Sequence, residues 1–357
     1  MKKQFIAAGF VLLSFMLPLK ASAFTGIYVL GDSLSDTGNT FSAIEAETGI
    51  GLPPPPYFQG RFSNGPIWID ELAQKLNLDS PTPLIQVANG ATPTSGINFA
   101  FGGATTTTAN IINGNLFGLP QQLGAFQTLL NTNQQPVDPD ALYILAFGSN
   151  DYVPTTSLDF VPFTNPDQTL ANISNAVQAL ASFGVKNLLV PNLSNLGDTP
   201  LALSLGQSVS NNLNQLTQDH NAGLSTLIAG FNQNPALGLN IIPLDINSVF
   251  SNPQNLGFTN FTEPCLNINT QTLCNNPDEY LYWDFSHPTS PAHSLVADAA
   301  FLALEPQSVP EPGSILGMLA LGALGAAGVL KRQQKKFAFT PANPALFAQS
   351  FHTKVEN

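Results

Sequence analysis

The order of apolar runs along this chain predicts an α/β fold, a mostly parallel sheet covered by helices on both faces. Three observations carry that expectation. Four short apolar segments read as buried strands: Ile27–Leu30, Leu142–Phe147, Asn187–Val190 and Asn240–Leu244. Helical patterns lie between and beside them, near Pro66–Leu76, Pro120–Leu130, Gln168–Phe183 and Leu201–Ile228. Ser33 follows the first strand and Asn150 the second, which puts both at the sheet edge where open α/β sheets bind ligands.

Taken in order, the elements justify themselves locally. Lys2 and Lys3 precede the apolar run Phe5–Leu17, and Ala21-Ser22-Ala23 is a small-x-small cleavage pattern. Residues 1–23 therefore read as a secretory signal peptide, with a mature start near Phe24. The domain expected from 24 to 305 has roughly 280 residues, within the range of one α/β layer structure. Segments rich in Pro, Gly, Asn and Thr (Pro53–Tyr57, Ala88–Ser95, Asn110–Leu119) are expected as loops that set substrate preference. Phe58, Phe62, Phe101 and Phe117 in or near them are candidates for an acyl pocket, local packing being the alternative. No internal repeat is present.

The chemistry begins at Gly31-Asp32-Ser33-Leu34, where a serine ends a buried strand. A hydroxyl is a poor nucleophile at neutral pH and needs a base, a group orienting that base, and donors for the developing oxyanion. His287 in Asp284-Phe285-Ser286-His287-Pro288 is a candidate base, because a carboxylate three residues earlier can reach its Nδ1 and leave Nε2 for the serine. The bland alternatives are a helix cap for Ser33, a turn for Asn150-Asp151 and a turn for His287. His293, on a helix opened by Ser290 and Pro291, and His220, in a long polar helical stretch, read as solvated or packing residues.

With these residues in view, the chain resembles the GDSL family of esterases and lipases, the SGNH hydrolases. Four blocks occur in the family's order: Gly31-Asp32-Ser33-Leu34, Asn98-Phe99-Ala100-Phe101-Gly102-Gly103-Ala104, Gly148-Ser149-Asn150-Asp151 and Asp284-Phe285-Ser286-His287-Pro288. Gly60-Arg61-Phe62-Ser63-Asn64-Gly65 and Asn276-Pro277-Asp278-Glu279-Tyr280 are similar to members with long inserts. The resemblance implies a flavodoxin-like three-layer α/β/α fold and an acyl-enzyme mechanism without a cofactor. It also implies roles: Ser33 as nucleophile, His287 as base then acid, Asp284 as orienter. The oxyanion hole would comprise the Ser33 and Gly102 backbone N–H groups and the Asn150 amide, with Gly103 an alternative to Gly102. Acyl transfer to an alcohol is a second reading, and a non-catalytic envelope or glycan-binding protein a third.

The rest of the chain speaks to location and partners. From residue 24 to 309 only Arg61, Lys75 and Lys186 are basic against twenty-one acidic side chains, a net of −18. Such a surface repels nucleic acid and anionic headgroups and suits neutral or zwitterionic esters. No metal or phosphate motif occurs, and no Gly-x-Ser-x-Gly surrounds Ser33, against an α/β-hydrolase fold. Cys265 and Cys274, in a chain read as exported, are expected to close one disulfide, with free thiols the alternative. Residues 306–336 resemble a PEP-CTERM sorting signal: Val309-Pro310-Glu311-Pro312, an uncharged helix over 313–330, then Lys331, Arg332, Lys335 and Lys336. That resemblance implies an exported protein, extracellular or of the cell envelope, with transient membrane association until the segment is processed and an exosortase-type sorting protease as partner. The tail 337–357 runs further past the basic cluster than such signals usually do.

Overall fold

The computed structural model describes residues 24–133, 136–157 and 160–305. The expectations for the signal peptide (1–23), the sorting segment (306–336) with its helix at 313–330, and the tail (337–357) fall outside the described residues. Among those described, no helix is long and apolar enough to cross a membrane.

Six strands form one sheet: β1 (Ile27–Gly31), β2 (Thr82–Pro83), β3 (Ile97–Asn98), β4 (Leu142–Ala146), β5 (Asn187–Pro191) and β6 (Asn240–Leu244). They run parallel in the order β2-β3-β1-β4-β5-β6. Central parallel strands are covered on both faces and so read as unbroken apolar runs. Accordingly β4 is buried at every residue, and β1 at every residue but Tyr28.

Successive side chains point to opposite faces, so each strand feeds two cores. Ile27, Val29, Leu142 and Ile144 meet α2 (Trp68–Lys75) and α9 (Ser290–Leu304) on one side. Leu30, Tyr143 and Leu145 meet α4 (Leu119–Asn133), α5 (Asp167–Phe183) and α7 (Gln207–Asn232) on the other, with Phe126, Ile173, Leu180 and Leu224 in contact. The result is the expected three-layer α/β/α arrangement. Order reverses between β1 and β4, whose register runs from Ile27↔Leu142 to Gly31↔Ala146. The crevice at their carboxyl ends is therefore where ligands bind in such sheets.

Several elements differ from the sequence expectation. The long helix expected over Leu201–Ile228 is two, α6 (Pro200–Ser204) and α7, because the chain turns at Gly206 with φ +98°. The edge strand β2 and its neighbour β3 are two residues each, too short to show a period. The short helix α3 (Leu84–Ala88) precedes the expected loop. A helix, α1 (Asn39–Thr48), follows the serine block although its sequence carries no clear apolar stripe. It is started by Asp36, whose carboxylate accepts from the N–H groups of Gly38, Asn39 and Thr40 at 2.8, 2.7 and 3.0 Å. Capping thus falls to Asp36, not to Ser33.

Candidate functional site

The end of β1 is held from the side by Gln122 of α4. Its amide donates to Gly31 O and accepts from Gly31 N–H, both at 2.9 Å, so a side chain continues the strand ladder where the strand stops. Beyond it Asp32 organises the turn. Its backbone oxygen accepts from Ser35 N–H, its Oδ1 from Leu34 N–H, and its Oδ2 from Ser149 Oγ at 2.8 Å. Burial pushes the Asp32 carboxyl up to about 6, against the pull of those donors and of nearby His287. The turn leaves Ser33 facing the crevice.

Asp284 and His287 arrive from the far end of the chain on a segment braced twice. Cys265 N–H donates to Tyr282 O and Leu266 N–H to Trp283 O, which lays a small hairpin, β7 (Leu266–Asn267) and β8 (Thr272–Leu273), along the residues before Asp284. Cys265 and Cys274 close that hairpin as a disulfide. Trp283 N–H then donates to His287 O, closing the turn that carries acid and base.

Within the turn, Asp284 accepts from the N–H groups of Ser286 and His287, both at 2.8 Å, and from His287 Nδ1 at 2.7 Å. A further donor is Tyr57, whose hydroxyl reaches Asp284 Oδ2 at 2.6 Å. His287 Nε2 lies 2.9 Å from Ser33 Oγ, across a separation of 254 residues. A hydrogen-bonded line therefore runs from hydroxyl to imidazole to carboxylate. Burial opposes charge on both partners, but their mutual attraction outweighs it: Asp284 is held below the usual carboxylate range and His287 above the usual imidazole value. The ring of Phe62 packs on the imidazole with centroids 5.0 Å apart.

The donors facing Ser33 require one correction. The N–H of Gly102, expected in an oxyanion hole, is turned inward and donates to Asp36 Oδ2 and Thr40 Oγ1 at 3.0 and 2.7 Å. The next residue, Gly103, lines the crevice and has φ +75°, and its N–H donates to no backbone oxygen among the described residues. A Cβ there would meet Asn110 Oδ1 at 2.8 Å in a conformation side chains rarely adopt. Ser33 N–H is likewise unengaged among the described residues, and Asn150 commits one amide hydrogen to Ala104 O at 2.9 Å, leaving the other. Asn150 is steadied by its neighbour Asp151, a buried carboxylate that accepts from Thr169 Oγ1 at 2.6 Å, Thr106 N–H at 2.8 Å and Thr106 Oγ1.

A cavity of about 210 Å³ opens at this point, bounded by Ser33, Gly103, Asn150 and His287. Its other walls are mainly aliphatic, among them Leu34, Ile111, Ile112, Val153, Leu193 and Leu201. The four phenylalanines considered as pocket residues lie elsewhere. Phe101 packs against Phe117 at 5.0 Å, Phe58 lies under the Arg61 guanidinium, and Phe62 backs the imidazole. These aromatics find their burial against other segments and the core, and the aliphatic residues of loop 110–118 and the β5 exit supply the lining. His220 and His293 are both buried, not solvated, and burial drives their values down to about 4 and about 3. Among the described residues no His/Cys/Asp/Glu group is disposed to hold a metal.

The family model for GDSL-like Lipase/Acylhydrolase matches residues 27–300. This chain belongs to that family, whose members act on ester bonds. A second match, the PEP-CTERM protein-sorting motif, covers residues 308–333. The chain is 29% identical over 316 residues to a GDSL esterase/lipase of Arabidopsis thaliana, covering 77% of this chain and 84% of the relative. It is 26% identical to a phosphatidylcholine-sterol acyltransferase of Aeromonas hydrophila, over 86% of this chain and 98% of that one. Among solved structures, a putative GDSL-like lipase from Parabacteroides merdae aligns at 13% identity with a TM-score of 0.45, covering 79% of this chain and 96% of that one.

Sequence reasoning missed Tyr57, Gln122 and the Asp32–Ser149 contact. Tyr57 carried a faint signal, standing just before the Gly60–Gly65 stretch noted above; the other two carried none.

Proposed function

We propose that this GDSL-family hydrolase is an exported serine esterase or lipase working through an acyl-enzyme. One observation carries the reading: the unbroken line Ser33 Oγ, His287 Nε2, His287 Nδ1, Asp284, with each step between 2.7 and 2.9 Å. Ser33 Oγ attacks the ester carbonyl while its proton passes to His287 Nε2. The tetrahedral oxyanion is met by the Ser33 and Gly103 N–H groups and the free amide hydrogen of Asn150, donors fixed before charge develops. His287 then returns the proton to the departing alkoxide, and water repeats the cycle in reverse to free the acid. Asp284, anionic throughout, holds the imidazole tautomer and offsets its transient charge. The aliphatic cavity and the acidic protein together favour neutral or zwitterionic esters with an apolar acyl group.

A second reading, acyl transfer to an alcohol, is favoured by the kinship to a protein named as a phosphatidylcholine-sterol acyltransferase. The sorting motif supports export to the cell envelope and processing by an exosortase-type protease, with the segment at 313–330 as a transient anchor. Turnover of graded p-nitrophenyl esters by the full chain, beside Ser33→Ala and with a serine-directed phosphonate, tests the main reading. Activity lost in the variant together with label on Ser33 is expected. A folded parent that neither turns over nor labels overturns it. Added alcohols that divert product from acid to ester decide for transfer, and mass spectrometry of the C-terminus of exported protein decides on processing.

A further inference from the structure

A second cavity of about 50 Å³ lies beside the one that opens on Ser33. It runs under the serine turn between the sheet and α9, walled by Trp68, Ala146, Phe147 and Val296, none of which lines the first cavity. Leu34, Leu193, Ile246, Phe250 and Pro288 border both cavities, as do Ser149, Asn192 and Ser194, while Asp32, Ser35, Pro191 and His293 complete the inner one. A space needs only about 10–15 Å³ to admit a water, so this one has room for more than packing slack.

Phe250 is the residue that can join them. It follows the short helix α8 (Ile246–Val249) at the exit of β6 and is half-buried, its ring packed between the α2/α9 core and the cluster around Phe258 and Leu281. Of the other apolar residues that border both, three are pinned and Ile246 opens the same short helix that Phe250 follows. Leu34 sits in the serine turn, Leu193 is tied through its backbone to Asn221, and Pro288 follows His287. Side chains that reach the surface change rotamer on the picosecond-to-nanosecond scale, and Phe250 is partly exposed.

We propose that the inner cavity is a terminal acyl site, gated by Phe250, which receives the end of an alkyl chain whose carbonyl lies at Ser33. The inference rests on the esterase reading above. The polar atoms at its wall do not oppose it. Asp32 is already bonded to Leu34 N–H and Ser149, and Ser35 Oγ and His293 Nε2 are neutral dipoles without partners among the described residues. Contact of alkyl groups with such dipoles costs far less than contact with a charge.

The test is a chain-length profile of the full chain from acetyl to dodecanoyl esters, read as the ratio of kcat/KM for decanoyl to butanoyl. Phe250→Ala should raise this ratio about tenfold, the scale of a methylene's worth of pocket. Val296→Leu, which fills the inner cavity from α9, should lower the ratio and cancel the gain in the double variant. Thermal unfolding verifies that Val296→Leu is folded, and Ala146→Val narrows the same space if it is not. A ratio unmoved by Phe250→Ala, or raised equally in the double variant, overturns the proposal while turnover and Ser33 labelling by phosphonate leave the esterase reading intact. A folded parent without turnover or label removes both.

Discussion

Replacing Tyr57 by Phe removes one hydroxyl and leaves the ring against Trp283, where the two now meet edge to face with centroids 6.0 Å apart. What is lost is a 2.6 Å hydrogen bond to a buried carboxylate. Bonds to charged groups are worth about 1.5–3 kcal/mol. At roughly 2 °C per kcal/mol for a domain of this size, the midpoint of thermal unfolding should fall by about 3–6 °C. The catalytic consequence follows from charge. Tyr57 stabilises the Asp284 anion most when its neighbour His287 is neutral, so its removal favours the imidazolium and raises a His287 value that Asp284 already holds above normal. His287 must be neutral to accept the Ser33 proton, so the acid limb of kcat/KM against pH should move to higher pH. Three N–H donors remain on Asp284, which limits the loss at the plateau to about tenfold, the lower end of that energy range. The assay is the pH profile of a chromogenic ester, run beside thermal unfolding. A Phe variant with the parental acid limb and the parental midpoint would refute the coupling between Tyr57 and the acid–base pair.

Asn150→Ala should lower kcat by about 10²- to 10³-fold with little change in KM, because on the proposed mechanism its free amide hydrogen meets charge that exists only in the transition state. Steady-state kinetics decide this, and a KM effect alone would contradict it. Acid should destabilise the fold through His220, whose value burial lowers to about 4 from 6.5. The unfolded chain takes up that proton first, so its contribution is complete above pH 6.5 and is lost as pH falls toward 4, on the order of 3 kcal/mol. Denaturant melts at both pH values should show a smaller loss in His220→Gln. Reducing Cys265–Cys274 should cost about 2.5 kcal/mol for a separation of nine residues. It should also loosen the Asp284 turn, seen as a lower unfolding midpoint and lower kcat in reductant.

The central strands were legible because burial on both faces writes itself as continuous apolar sequence. The meeting of Ser33, Asp284 and His287 was legible because each stands at a strand end or a tight turn. Contacts between distant segments were not. Tyr57 lies 227 residues from Asp284, and nothing local marks its hydroxyl as a partner. Gly102 and Gly103 are identical neighbours in sequence. Which amide faces the crevice is decided by Asp36 and Thr40, which draw the first inward. Helix α1 was hidden for a related reason, its start being fixed by the Asp36 carboxylate rather than by an apolar period. The phenylalanines misled because side-chain chemistry gives affinity for burial but not its address.

The distance in sequence between Ser33 and His287 has a bearing on how a cell survives making such an enzyme. Domains assemble as the chain emerges, amino end first, and here the hydroxyl appears early while the imidazole that would activate it is among the last parts delivered. On the proposed mechanism, Ser33 has no base until the turn carrying His287 has docked against it.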